Sequence, residues 1–394
     1  MKRLDLVILV LVTFIACNQK IKLENTFVES IPIDLDKTEN KNLSDFVRNI
    51  ELVPLYTDIN CLVSTYNKFA YYKEIGMFLI MDKDLVVSLF SKEGQFIASS
   101  KAVMGVGPGE YRTAVDAIYN PYTKNIEILT PYGKIYRYDT SFHFVEEKSL
   151  EQSTQVFARF VPLQKNKYVL TPVILGDKDI AIYFCDYDQK EIGKPIRYDE
   201  DYISSLTMNY NPFLKLNNDL YFSPLCFNYM FYKILPESQQ LQPIMKLDFG
   251  SHTVHKKDIV NRFGTASKTI SKQEDRTFNY SVMDNVNNYL LENTAVPAIK
   301  FFNEKYVYVL VLKNGKRITY IYDRKTKRSY MQTNENPIRL SFCLDIDDTV
   351  LFAAVQPYEL EKLIDIKLLD EKSKQALANI QEDDNPIIVK YYLR

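Results

Sequence analysis

Residues 78–111 read FLIMDKDLVVSLFSKEGQFIASSKAVMGVGPGEY, from Phe78 to Tyr111. Two apolar, β-rich runs, Phe78 to Met81 and Leu85 to Phe90, lead into a turn at Lys92-Glu93-Gly94-Gln95. Runs of this length bounded by a glycine-containing polar turn are too short for helices and read as strands. A third run follows at Phe96-Ile97 and ends in the Gly-Pro loop Gly105 to Gly109. The stretch predicts a meander of short antiparallel strands, one unit of a repeated blade.

The same grammar recurs along the chain. Asn125 to Tyr138 reads strand, turn at Tyr132-Gly133-Lys134, strand. Lys167 to Val173 pairs with Ile180 to Asp186, and Asp219 to Phe222 with Asn228 to Ile234. Tyr306 to Leu312 and Lys316 to Asp323 flank Asn314-Gly315, the dipeptide that best fits a two-residue hairpin because both positions tolerate positive φ. Leu340 to Ile346 and Thr349 to Ala354 make one more pair. Six meanders at a spacing of ~40 to 50 residues suit propeller blades. Asp383-Asp384-Asn385-Pro386 then breaks the chain before a last strand, Ile387 to Leu393. The expected fold is all-β: a six-bladed β-propeller whose ring is closed by strands from both chain ends, which removes an exposed sheet edge. Ile31 to Leu35 reads as a further strand, and short helical insertions are expected at about 256–291 and 360–380.

Composition agrees with that class. The chain holds 29 Tyr and 23 Phe but no Trp, a load that fits pleated, half-buried strand surfaces. With 49 basic and 50 acidic residues the formal net charge is -1, so no bulk field favours nucleic acid, and none is expected as a partner.

The first residues carry an address. Lys2 and Arg3 precede an apolar stretch, Leu6 to Ile15, followed at once by Ala16-Cys17. The stretch is short for a bilayer span, which needs roughly 20 residues, so it reads as a cleaved signal peptide. Residues 1–17 are therefore assigned to the signal, 18–27 to a polar tether and 28–394 to one propeller domain. The other cysteines, Cys61, Cys185, Cys226 and Cys343, are widely spaced in apolar contexts and fit buried thiols better than a metal or CxxC motif. One disulfide among them stays open.

Phe14-Ile15-Ala16-Cys17 resembles the lipobox of bacterial lipoproteins, in which the cysteine becomes the lipidated first residue; the alternative is a plain secretory signal with an incidental Cys17. The loop Met104 to Tyr111, the opening Leu43 to Leu55, the Leu291-Glu292-Asn293 step and the ending Glu382 to Val389 together resemble the six-bladed β-propeller lipoproteins of Bacteroides-type bacteria, related in architecture to NHL-repeat and TolB-like propellers. That resemblance implies a cell-envelope location, with the membrane as partner through a lipid on Cys17. It implies no activity.

Gly105, Gly107 and Gly109 alternate as in a phosphate cradle, but no Gly-Lys-Ser/Thr opens a helix after them. Gly105, Gly107, Pro108, Gly109, Glu110 and Tyr111 are instead assigned to a blade-to-blade crossover, a structural or ligand loop. His252 and His255 lack a third ligand, and Asp345-Ile346-Asp347-Asp348 lacks calcium-loop spacing and reads as solvated turn. Tyr119, Tyr122, Tyr132 and Tyr136 fall near blade turns, where they could support a glycan or peptide platform. No catalytic residue, metal ligand or cofactor is predicted; a calcium ion held by backbone carbonyls in the axial channel would leave no sequence trace. The expected function is a binding or scaffold module for a protein or glycan ligand. Alternatives are a lyase or hydrolase acting at the channel mouth, and an ancillary subunit of an outer-membrane glycan uptake or sensing system.

Overall fold

The computed structural model describes residues 28–36, 39–151, 155–173, 180–198, 211–224, 227–263 and 280–394. Residues 1–27, which hold the expected signal peptide, Cys17 and the expected tether, together with Cys226 and the polar stretch 265–277, lie outside the described residues.

The strands form six sheets. β1 (Glu29–Pro32) and β2 (Val47–Pro54) come first and join sheets formed much later in the chain. Blade one is β3 (Tyr66–Tyr72), β4 (Met77–Asp82), β5 (Val87–Ser91) and β6 (Phe96–Ser99). Blade two is β7 (Asp116–Asn120), β8 (Asn125–Leu129), β9 (Ile135–Tyr138) and β10 (Phe144–Lys148). Blade three is β11 (Phe157–Pro162), β12 (Lys167–Pro172), β13 (Ile180–Asp186), β14 (Glu191–Ile192) and β15 (Ile196–Arg197). Blade four is β16 (Phe213–Leu216), β17 (Asp219–Phe222), β18 (Met230–Leu235) and β19 (Gln240–Asp248); blade five is β20 (Val296–Phe302), β21 (Tyr306–Lys313), β22 (Lys316–Asp323) and β23 (Ser329–Thr333). Blade six takes β24 (Asp345–Asp347), β25 (Val350–Val355) and β26 (Ile387–Leu393), and β2 completes it.

The ring is closed by blade six. β26 pairs antiparallel with β25 on one side and with β2 on the other, Val389 lying opposite both Ala353 and Leu52. β1 does something the sequence pattern did not indicate. It joins blade four, in parallel with β19, with Ile31 opposite Leu247. The two N-terminal strands thus tie the chain start to two different blades.

Six apolar clusters fill the six junctions between neighbouring blades. Phe69, Phe78, Phe352 and Ile388, for example, pack blade six on blade one, and Leu79, Leu89, Ala117 and Ile128 pack blade one on blade two. Because each blade is covered on both faces, its middle strands read as unbroken apolar runs: every residue of β4 is buried. Each fully buried Leu, Ile or Phe contributes about 1.5–3 kcal/mol. Outer strands such as β10, with Glu146, Glu147 and Lys148, carry charge that discourages edge pairing.

Local departures have local causes. Leu85 takes φ +68° and turns the chain, so β5 begins at Val87. Asn314 and Gly315 take φ +51° and +71°, as the hairpin reading requires. Residues 340–343 do not extend β24: the N–H groups of Leu340, Ser341 and Cys343 are taken by side chains, and only Leu344 N–H still bonds to a backbone carbonyl, that of Phe352, at 2.8 Å. Gln332 Oε1 accepts from Leu340 at 2.6 Å, and the Tyr391 and Tyr308 hydroxyls accept from Ser341 and Cys343 at 3.4 and 3.3 Å. The 360–380 segment is not one helix. It comprises 3-10 turns at Pro357–Lys362 and Ile366–Leu368 and a short α-helix, Glu371–Leu377, N-capped by Asp370. Helices Lys256–Phe263 and Tyr280–Asn293 stand between blades four and five. Among the described residues no helix is long and apolar enough to cross a membrane.

Candidate functional site

Every blade begins at its innermost strand, and the inner strands β24, β3, β7 and β11 touch in succession around the axis. Each enters the ring from the same face, so side chains near the strand starts share one mouth of the axis. Four of these are charged and alternate in sign: Asp345 in blade six, Lys68 in blade one, Asp116 in blade two and Arg159 in blade three. Lys68 Nζ lies 2.9 Å from Asp116 Oδ1, both side chains being essentially buried. Asp116 Oδ2 accepts the backbone N–H of Phe160 across the next junction, at 3.1 Å. Arg159 Nη1 donates to the carbonyl of Val115 at 2.5 Å. Asp345 Oδ2 accepts from the Tyr71 N–H at 3.4 Å, and Asn211 Nδ2, from the blade opposite, donates to the carbonyl oxygens of Phe69 and Leu344 at 2.8 and 3.3 Å.

The cluster perturbs its own ionisation. Burial pulls the Lys68 ammonium below its usual range, against the pull of Asp116. Burial also pushes the Asp345 carboxyl up from 3.8 to about 6, with repulsion from Asp347 adding to it. Asp345 is surrounded by protein yet keeps part of its surface accessible, as expected of a group facing an internal channel. A carboxyl whose folded pKa is raised binds its proton more tightly in the folded state. Its contribution is therefore fully favourable below about pH 4 and is lost as pH rises through about 6. At about 1.4 kcal/mol per pH unit, the ionised form costs the fold on the order of 2–3 kcal/mol. In urea titrations, Asp345→Asn is expected to gain on wild type by that order at pH 7.5 and by much less at pH 4.5. A wild-type-minus-variant difference that does not change with pH would contradict this placement.

The Met104–Tyr111 loop lies elsewhere, between blades one and two. Its apparent anion cradle is filled by its own carboxylate: Glu110 Oε2 accepts from the Gly107 N–H at 2.9 Å, and a Cβ on Gly105 would fall 2.0 Å from that oxygen. Gly109 has φ +75° and lies so close to the Phe144 ring that a Cβ would fall 2.7 Å from it. Its carbonyl accepts from the Tyr138 hydroxyl at 2.9 Å. Tyr111 is wholly buried, and its hydroxyl donates to the Leu85 carbonyl at 2.7 Å. Pro108 stays at the exposed side of the loop.

A second buried charged network locks blade two to blade three. Arg137 and Glu127 are fully buried, with Arg137 Nε 2.7 Å from Glu127 Oε1. Arg137 Nη2 also donates to Lys165 O, Asn166 Oδ1 and the Tyr168 hydroxyl at 2.8, 2.8 and 2.7 Å. Tyr168 in turn donates to Glu127. These groups satisfy one another, and the network reads as a clamp.

A family model described as a domain of unknown function (DUF4934) matches residues 28–392. The chain belongs to the DUF4934 family. Among solved structures, this DUF4934 propeller is similar to a Bacteroides fragilis protein described as exported, with TM-score 0.69 and 16% identity over 93% of this chain and 100% of that one. A Bacteroides caccae protein of unknown function aligns over 68% of this chain and 82% of its own, at 12% identity and TM-score 0.36, too low to add to the argument. No curated protein matches at a significant level. The similarity in structure speaks for the fold alone.

The other sequence candidates of this DUF4934 chain are scattered. Tyr122 and Tyr132 are exposed, whereas Tyr119 packs edge-on against Tyr72, so the four tyrosines do not form one platform. His252 Nε2 lies 2.8 Å from Asp36 Oδ2 and 2.9 Å from Lys313 Nζ, in a surface ion cluster. Among the described residues no three His, Cys, Asp or Glu side chains are placed to hold a metal ion. Cys61, Cys185 and Cys343 are buried free thiols. Asp347 pairs with Lys73 at 2.9 Å near the surface, but Asp345 belongs to the axis rather than to a solvated turn. Sequence reading passed over Lys68, Asp116 and Arg159. The available signal was a single charge inside an otherwise apolar first strand, as in Phe157-Ala158-Arg159-Phe160.

Proposed function

We propose that the protein is an exported, lipid-anchored binding module of the cell envelope, and that the charged mouth of its axis takes a polar ligand. The observation that carries this reading is the alternating set Asp345, Lys68, Asp116 and Arg159 on four successive inner strands. A buried ion pair is seldom the most stable filling for such a site, since well-packed apolar side chains often do as well or better. Charges kept there at a stability cost are expected where a ligand needs donors and acceptors on a rigid frame. Export is supported by the signal-like residues Lys2 to Cys17 and by the description of the Bacteroides fragilis protein as exported.

Two assays test the halves of the proposal. Cys17→Ala should move the protein from the detergent phase to the aqueous phase in a cloud-point partition; retention in the detergent phase would remove the lipid anchor from the account. A thermal-shift screen of defined oligosaccharides and peptides should yield a compound that stabilises wild type but not Lys68→Met with Asp116→Asn. Hits that shift both proteins equally would move the site away from the axis. The enzymatic reading is favoured by one observation, the displaced ionisation of Asp345 and Lys68 in the same cluster. Mass spectrometry of a hit after long incubation separates the readings: a binding module returns it unchanged.

A further inference from the structure

Between blades four and five, on the face where the β16–β17, β20–β21 and β22–β23 turns lie, the packing leaves a cleft of about 240 Å³. Its volume falls below the roughly 300 Å³ at which pockets begin to hold drug-sized molecules, so it admits a single ring-sized group. We propose that this cleft binds one neutral pyranose ring of a carbohydrate. The site is separate from the axial mouth and does not rest on the reading given to that mouth.

Three features of the lining argue for that class. First, the charges cancel. Asp219, Lys233, Glu304 and Arg324 line the cleft, two carboxylates against two cations, so it offers no net field to an ion. Second, these groups are held in place by one another and by neighbours. Lys233 Nζ lies 2.7 Å from Asp219 Oδ2, Arg324 Nη2 lies 2.6 Å from Glu29 Oε2, and Asn217 Nδ2 donates to Glu304 Oε1 at 2.7 Å from one blade to the other. Fixed carboxylates and ammonium groups keep spare acceptor and donor capacity for hydroxyls. Third, the remaining wall is apolar and partly aromatic. Tyr221 stands edge-on to Phe302 with ring centroids 5.2 Å apart, beside Ile244 and Met245. The Tyr221 hydroxyl donates to Asp219 Oδ2 at 3.4 Å, which fixes the ring at the polar border. A ring with hydroxyls around its edge and C–H groups on its faces matches a lining of this kind; an inorganic anion or a purely apolar group matches only part of it.

The test is saturation-transfer NMR on the whole mature chain with methyl glucoside, methyl mannoside, methyl galactoside and N-acetylglucosamine as neutral probes and galacturonate as the anionic one. At least one neutral probe should show saturation of its ring protons. Binding should weaken about tenfold or more, the loss of one hydrogen bond or aromatic contact, in Asp219→Ala and in Tyr221→Ala. It should persist in Lys68→Met with Asp116→Asn, which leaves the cleft intact. Saturation of galacturonate alone, of no probe, or of a neutral probe equally in wild type and in both cleft variants with unchanged melting would overturn the assignment.

Discussion

Replacing Val389 by aspartate is expected to abolish cooperative folding. Val389 is wholly buried in β26, the strand held between β2 and β25. It belongs to the apolar cluster that packs blade five on blade six. A carboxylate placed there would be surrounded by apolar side chains, and burying it unpaired costs several kcal/mol. Domains of this kind hold only about 5–15 kcal/mol in total, and this strand alone joins the chain's start to its end within one blade. The chain has no Trp, so the near-ultraviolet circular dichroism of its tyrosines reports tertiary packing directly. The expected spectrum of Val389→Asp is flat, with no thermal transition. Glu382→Ala, at an exposed position just before the strand, should melt within about 0.5 kcal/mol of wild type. A cooperative, wild-type-like melt for Val389→Asp would mean that blade six is not closed as described.

The second large effect is expected at the clamp between blades two and three. Arg137→Ala removes the only side-chain cation within hydrogen-bonding reach of Glu127 among the described residues, leaving a carboxylate with no exposed surface. Breaking a buried pair from one side typically costs about 3–5 kcal/mol. Burial already pushes the Glu127 carboxyl upward even with Arg137 in place, so without the guanidinium it should take up a proton. The loss in urea midpoint should therefore be larger at pH 8 than at pH 5. Glu127→Gln in the Arg137→Ala background should recover part of the loss, because the amide leaves no charge behind. Equal stability of Arg137→Ala and wild type at pH 8 would show that the network contributes nothing.

Much of the ring is legible in the sequence. Short apolar runs with glycine or asparagine turns mark each hairpin, and Ile387 to Leu393 coincides with the closing strand. Local signals of this kind survive because hairpin pairing is decided by neighbours in sequence. The parallel pairing of β1 with β19 was not legible, since its partner lies more than two hundred positions away and no turn encodes the match. The helical spacing after Leu360 was misleading for a related reason. Leu360, Leu363 and Ile364 are apolar because they plug the junction of blades five and six, and a buried plug need not be one helix. The glycine loop reads as a blade-to-blade crossover because no Gly-Lys-Ser/Thr opens a helix after it, but nothing in the sequence shows that Glu110 fills it. The axial charges were the least legible. Lys68, Asp116 and Arg159 sit in different hairpins, and only the closed ring brings them to one mouth.

On the proposed function, the axial ion pair is kept for a ligand and not for the fold. Equilibrium unfolding of Lys68→Met with Asp116→Asn tests it without knowledge of that ligand, since the asparagine oxygen still accepts from Phe160 N–H while both charges disappear. The expected unfolding free energy at pH 7 is equal to or above that of wild type. A loss of more than about 2 kcal/mol, the size expected when a structural pair is dismantled, would contradict it.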